Sequence, residues 1–246
     1  MREPNIIHAI FRREFRNYFN SPVAYVFMVA FLLLIGFLTF LVAGFYERRT
    51  ADLSPFFLWH PWVYLLLVPA ATMGLWAEER RTGTIELLLT LPVTPLQATL
   101  GKFLAAWGFI TLALALTFPV VITVNYLGRP DNGVILTAYV GSWLMAGAYL
   151  AISCITSALT RSQVVSFIIS LVVCLFLILA GFPPVINVIE QVSPKLVDLV
   201  TFFSVMTHFE GFQKGVLDSR DILFFLSVIG FSLFTTSVIL RTHRAG

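Results

Sequence analysis

The sequence predicts an all-α polytopic membrane protein, and three observations carry that prediction. Apolar residues make up 58% of the chain and charged residues only 12%, which leaves too little polar surface to coat a water-soluble globule. Six stretches without Asp, Glu, Lys or Arg run for about 20 residues or more, the length that a hydrocarbon core of about 30 Å demands of a helix. Basic residues gather in alternate flanks of these stretches, as the orientation of a multi-pass chain requires.

Taken in order, residues 4–20 predict an interfacial amphipathic helix. Ile7, Ile10, Phe11, Phe15 and Tyr18 recur at helical spacing on one face, with Arg12, Arg13, Arg16 and Asn17 on the other. Its basic face suits anionic headgroups and its aromatic face suits the acyl boundary. Glu14 projects onto the apolar side. It is expected to pair with a basic residue of another cytoplasmic segment, such as Arg80 or Arg81, or to snorkel to water, because an unpaired carboxylate against lipid is costly. Ser21-Pro22 then turns the chain into the first transmembrane stretch, 23–45, followed by 56–77, 103–127, 134–160, 163–182 and 222–240. Pro69 and Pro119 sit where membrane helices kink. The fourth stretch carries Ala138, Gly141, Ser142, Ala146, Gly147, Ala148, Ala151, Ser153 and Ser157, small residues that let helix backbones approach closely, within the bundle or at a dimer seam. Residues 183–220 are apolar but broken by Pro183-Pro184 and Ser193-Pro194, with Glu190, Lys195 and Asp198 among them, so a short helical pair on the outer face is expected there. Ser193 as N-cap and Pro194 at N1 would open its second helix, Lys195 to Thr207.

Arg2, Arg12, Arg13 and Arg16 precede the first stretch, and Arg80, Arg81 and Lys102 lie between the second and third. With Arg161, Arg241 and Arg244 they place both termini in the cytoplasm, against Arg48, Arg49 and Arg129 outside. The first stretch is too long for a signal h-region and lacks a small-residue exit, so it is expected to remain as an anchor. The basic residues do not form one surface interleaved with stacking aromatics, which excludes nucleic-acid binding as the reading of the net charge of +3. His8, His60, His208 and His243 are scattered, and Cys154 and Cys174 lie within apolar stretches, so no metal site is expected.

Charge is concentrated in Glu78-Glu79-Arg80-Arg81 after the second stretch. Gly83 permits a turn, Thr84 can cap a short helix with Glu86 in its first turn, and Ile85, Leu88, Leu89 and Leu91 then need cover. Pro92 stops that helix, and Thr94 and Pro95 read as N-cap and N1 of the next. Residues 78–95 are thus a loop and helix parallel to the membrane with an apolar side free for the bundle or a partner.

The run Ala77-Glu78-Glu79-Arg80-Arg81-Thr82-Gly83-Thr84-Ile85-Glu86-Leu87-Leu88-Leu89-Thr90-Leu91-Pro92-Val93, with Gly101-Lys102 after it, resembles the signature of ABC-2-type ABC transporter permeases. Within them the chain is most similar to the gliding-motility-associated branch, through His208-Phe209-Glu210-Gly211-Phe212 and Gly215-Val216-Leu217-Asp218-Ser219-Arg220-Asp221. The resemblance implies a type V exporter-like fold and a single transmembrane domain over 1–246 in the bacterial inner membrane. It implies no catalysis by this chain: a dimer of separate ABC ATPase subunits uses ATP and Mg, beside a second permease copy or paralogue, membrane lipid and room for an extracytoplasmic auxiliary subunit. Glu78, Glu79, Arg80, Arg81, Gly83, Thr84, Ile85, Glu86, Leu88 and Leu89 then fall at the ATPase-coupling segment. The interfacial helix beside it contributes Phe11, Arg12, Arg13, Glu14, Phe15 and Arg16. The one G-x4-G, Gly128 to Gly133, is followed by Val134 where a phosphate-binding loop needs Lys, in keeping with ATP hydrolysis in another chain. The alternatives are a membrane anchor of an ATPase-driven motility or secretion machine without cargo, and an intramembrane enzyme. For the latter, Glu78-Glu79 resembles the paired glutamates of CAAX-type proteases, but Gly83 stands where that motif wants Arg. The absence of charge within the stretches favours an amphiphilic or lipid-linked cargo over a small ion.

Overall fold

The computed structural model describes residues 6–85, 93–192 and 194–242. Among them every regular element is helical. Helix α1 covers Ile6–Asn20, and α2, Pro22–Phe37, runs on into a π-helical turn at Leu38–Val42. The short helices α3 (Ser54–Leu58), α4 (His60–Thr72) and α5 (Gly74–Thr82) follow. Next come α6 (Pro95–Ala115), α7 (Phe118–Leu127), α8 (Asn132–Leu159) and α9 (Gln163–Leu179). The chain closes with α10 (Pro183–Val192), α11 (Pro194–Phe202), α12 (Val205–Gln213) and α13 (Ser219–Thr242).

Among the described residues four helical stretches are long and apolar enough to cross a membrane: Ala24–Val42, Pro95–Leu127, Asn132–Leu159 and Ser219–Thr242. A fifth is obtained when α9 and α10, bent by 69° at the Pro183-Pro184 break, count as one. Residues 56–77, expected as one pass, are broken at Trp59 and again at Met73. Pro69 lies inside α4, which ends three residues later, and the α6–α7 break at Leu116 and Thr117 lies just before Pro119. A ring without an amide hydrogen leaves the preceding turn short of a donor, and the helix gives way near it.

Helix α8 is the axis of the bundle, packed by α4, α5, α6, α9, α12 and α13. Its small residues make this geometry affordable in space: a Cβ on Gly141 would lie 2.5 Å from Phe212 Cγ of α12. Ser142, Ala146, Ala148, Ala151, Ser153 and Ser157 are all buried inside the one chain, so the small-residue face is spent on the bundle itself. Cys154 and Cys174 are buried as free thiols.

The segment after α9 differs from expectation. Instead of a pair it forms three short helices, because Ser204 accepts from Thr207 N at 3.1 Å and starts α12 inside the stretch expected as one helix, Lys195 to Thr207. Ser193 lies outside the described residues. The motif at 208–221 fastens this segment to the bundle. Phe209 and Phe212 enter the core, and His208 bridges Asp221 Oδ1 (2.7 Å) and the Phe202 carbonyl (3.1 Å) while its ring lies flat on Phe224 at 4.0 Å.

Candidate functional site

The charged residues singled out by the sequence meet at the end of the bundle where α5 stops. Helix α5 ends because Gly83 takes a left-handed conformation, φ 73°, which costs glycine little and closes the helix C-terminus. Its last two turns carry Glu78, Glu79, Arg80 and Arg81 in every azimuth, so the four cannot act as one patch. Arg81 turns outward and pairs with Glu78 at 2.6 Å. The bond from Arg81 holds the Glu78 carboxyl below its ordinary value, and a further bond from Gln163 Nε2 at the start of α9 acts in the same direction. Arg80 turns inward and donates to the carbonyl of Ala158 near the end of α8; burial, and then the nearby Arg161, hold its pKa below the ordinary guanidinium value.

Glu79 faces the other way and meets Lys102. The side chain of Lys102 is almost wholly buried, 5% exposed, and its ammonium lies 2.8 Å from Glu79 Oε1 and 3.9 Å from Glu14 Oε1. It donates to the Leu75 carbonyl at 3.0 Å and sits 5.0 Å from the centre of the Trp76 ring. One cation from α6 therefore binds α1 through Glu14 and α5 through Glu79, Leu75 and Trp76. An unpaired charge so placed would cost several kcal/mol, and the surrounding acceptors are what make it tolerable. Glu14 has found a basic partner on another segment, but the partner is Lys102; Arg80 and Arg81 are engaged with Ala158 and Glu78.

The residue before Lys102 sets the approach of the helices. A Cβ on Gly101 would lie 2.6 Å from Ile10 Cγ2, so only glycine lets α1 come this close to α6. The apolar face of α1 is thereby turned onto protein: Tyr18 stacks on Phe109 of α6 at 4.8 Å, and Phe11 and Phe15 stack on each other at 5.5 Å, half-buried. Arg12, Arg13 and Arg16 are exposed on the opposite face, with Arg13 also reaching Glu14 at 2.6 Å. The aromatic side expected at the acyl boundary thus also serves as the contact with α6.

The break between α4 and α5 is repaired from α8. Ser157 Oγ accepts from Trp76 N and Ala77 N, each at 3.0 Å, and donates to Met73 O at 2.8 Å, which provides the backbone groups freed by the break with partners. Trp76 belongs to a small apolar cluster with Ala98, Ala158 and Leu240, against which Ile85 and Val93 also pack. Thr84 bonds Thr82 at 3.0 Å. Glu86, Leu88 and Leu89 lie outside the described residues, but both flanks of their segment rest on this one cluster. Downstream, Thr94 caps α6 as expected, in a reciprocal box with Gln97: Gln97 N to Thr94 Oγ1 at 3.2 Å and Thr94 N to Gln97 Oε1 at 3.0 Å.

Sequence reasoning missed Lys102 as the centre of this site, together with Ser157 and Gln163. A signal was present for Lys102: a lone cation, next to a glycine, in the first turns of an apolar helix, with a carboxylate stranded on the apolar face of α1.

A family model described as "ABC-2 family transporter protein" matches residues 63–239, most of the chain. A search of curated proteins returned no match.

Proposed function

The chain belongs to the ABC-2 transporter family of membrane permeases, and from that membership and the Lys102 junction we propose that it passes the stroke of a separate ATPase to a membrane bundle. In this reading ATP and Mg are bound by a partner ATPase dimer whose cleft receives the segment 83–94. The working unit contains a second permease, either a copy or a paralogue, and performs export or mechanical work across a bacterial inner membrane. The single observation that carries it is the burial of Lys102 between Glu14 and Glu79. A push on residues 83–94 reaches α5 and the Trp76 cluster, and the shared ammonium obliges α1 and α6 to follow. Rigid contacts of this kind move as one body, and differential binding of the partner to two arrangements supplies the work.

Six passes with both termini in the cytoplasm are part of the proposal. Residues 56–77, in three helical pieces whose break at Met73 is bridged by Ser157, act as the second pass, and α9 with α10 as the fifth. The gliding-motility-associated branch is proposed on the motif at 208–221.

The test is reconstitution with the cognate ATPase. Glu86→Arg should leave the complex inserted and the ATPase active, yet sever its hydrolysis from permease motion, read as loss of the ATP-induced change in cross-linking between the two permeases of the working unit. Full coupling in that variant refutes the assignment. A permease that moves on ATP but transports none of the amphiphiles supplied would favour the cargo-free anchor.

A further inference from the structure

Residues 182–203 form a flap at the end of the bundle away from Lys102. Helix α13 spans the distance between the two: its Leu240 packs beside Trp76, and its Asp221 lies about 30 Å off at 1.5 Å per residue. Among the described residues α10 and α11 pack on each other and touch the rest of the bundle little. The ends of the flap meet, with Gly181 set so close against Ser204 that no side chain would fit there. His208 of α12 ties down the closing end.

Its two ring nitrogens face two acceptors. Nδ1 lies 2.7 Å from Asp221 Oδ1 and Nε2 lies 3.1 Å from the Phe202 carbonyl, the last residue of α11. A carbonyl never donates and an ionised carboxylate has no hydrogen to give, so both bonds exist together only when the pair holds one proton more than a neutral imidazole beside a carboxylate. The surroundings suit that proton. The ring lies flat on Phe224 at 4.0 Å, and the His208 and Asp221 side chains are only 14% and 16% exposed, which strengthens a charge-assisted bond. The other charges of the neighbouring elements are engaged elsewhere or turned outward: Arg220 of α13 and Asp198 of α11 are exposed, Glu210 and Lys214 of α12 pair with each other at 3.4 Å, Asp131 caps α8, and α9 carries none. Loss of the proton has a fixed direction. The one remaining ring hydrogen stays on Nδ1, because the bond to a carboxylate is the stronger, and the Nε2 lone pair then faces the Phe202 oxygen. A tie becomes a repulsion.

We propose that His208 is a proton-operated clasp: protonated, it closes the flap 182–203 onto α12 and α13, and on losing its proton it keeps Asp221 and lets Phe202 go. Imidazole is the side chain that ordinarily changes charge between about pH 5 and 8, so the pH on that face of the membrane sets the fraction of closed flaps. The clasp involves only the end of the bundle far from the Lys102 junction, and it holds or fails separately from the coupling role.

The test uses the full-length chain in phosphatidylcholine nanodiscs with a nitroxide on a cysteine placed at Leu199, an exposed position of α11. The native thiols are buried and should not take the label. Between pH 5 and pH 9 the nitroxide spectrum should pass from restrained to mobile as the pH rises, while a control label at the exposed Tyr126 of α7 keeps one spectrum throughout. His208→Gln has no proton to lose in this range and should give the Leu199 label one spectrum at every pH. Asp221→Asn removes the charge that favours the imidazolium and should move the transition to lower pH, which keeps the test decisive where His208→Gln fails to fold. A flat profile in the otherwise native chain, a transition that survives His208→Gln, or a shift to higher pH in Asp221→Asn overturns the proposal.

Discussion

At the scale of single residues, Lys102 carries the most consequence, because its ammonium is shared by two carboxylates on different helices in a place water scarcely reaches. Lys102→Met keeps the stem's apolar volume and strands Glu79, while Glu14 keeps Arg13. It should destabilise the bundle by about 3–5 kcal/mol, the cost of breaking a buried pair from one side. The double variant Lys102→Met with Glu79→Gln should recover a large part of that loss, since the stranded charge on Glu79 is then gone. Thermal unfolding in detergent, read as a double-mutant cycle, checks both values. Beside it, Gly101→Ala puts a methyl group 2.6 Å from Ile10 Cγ2 and should push α1 off α6. Ile10→Gly removes both the Cγ2 and the Cβ, which would lie 2.6 and 2.7 Å from the new methyl group, and should restore the contact, followed through a cross-link between cysteines placed at Tyr18 and Phe109, whose rings stack at 4.8 Å.

At the scale of elements, the helix 54–82 shows how a broken segment is kept inside an apolar bundle. Its second break is bridged by one hydroxyl, Ser157, which serves three backbone groups. Ser157→Ala leaves two amides and a carbonyl without their partner and should cost about 1–3 kcal/mol. Amide exchange of 73–77 should rise in that variant while exchange in the middle of α8 stays slow. Much of this level was legible in the sequence. The apolar stretches located α2, α6, α8 and α13, and Thr94-Pro95 marked the start of α6, because length, hydropathy and capping are local properties of the chain. The breaks at Trp59 and Met73, the division of 194–213 by Ser204 and the partner chosen by Glu14 were not legible. The bridging of the Met73 break and the partner of Glu14 depend on residues distant in sequence, Ser157 of α8 and Lys102 of α6, and a stranded carboxylate announces that a partner exists without saying which cation it is; the division at Ser204 is made by a local cap, its hydroxyl accepting from Thr207 N, which the apolar run around it hid.

At the scale of the whole molecule, the junction matters only if it lies on the side where an ATPase can reach it, and the charge distribution predicts that side. The positive-inside bias predicts Arg80, Arg81 and the N-terminal arginines in the cytoplasm, with Arg48 and Arg49 across the membrane. The native thiols make this easy to read, since Cys154 and Cys174 are both wholly buried and should stay silent toward an impermeant maleimide. A cysteine at Arg48 should then label in intact spheroplasts. One at Arg81, whose side chain is 64% exposed, should label only after the membrane is opened, and one at Arg12 should behave like Arg81, because Glu14 and Glu79 meet on the same ammonium and cannot lie on opposite faces. The reverse pattern at Arg81 would put residues 83–94 beyond the reach of any cytoplasmic ATPase, and a split between Arg12 and Arg81 would be incompatible with the Lys102 junction itself.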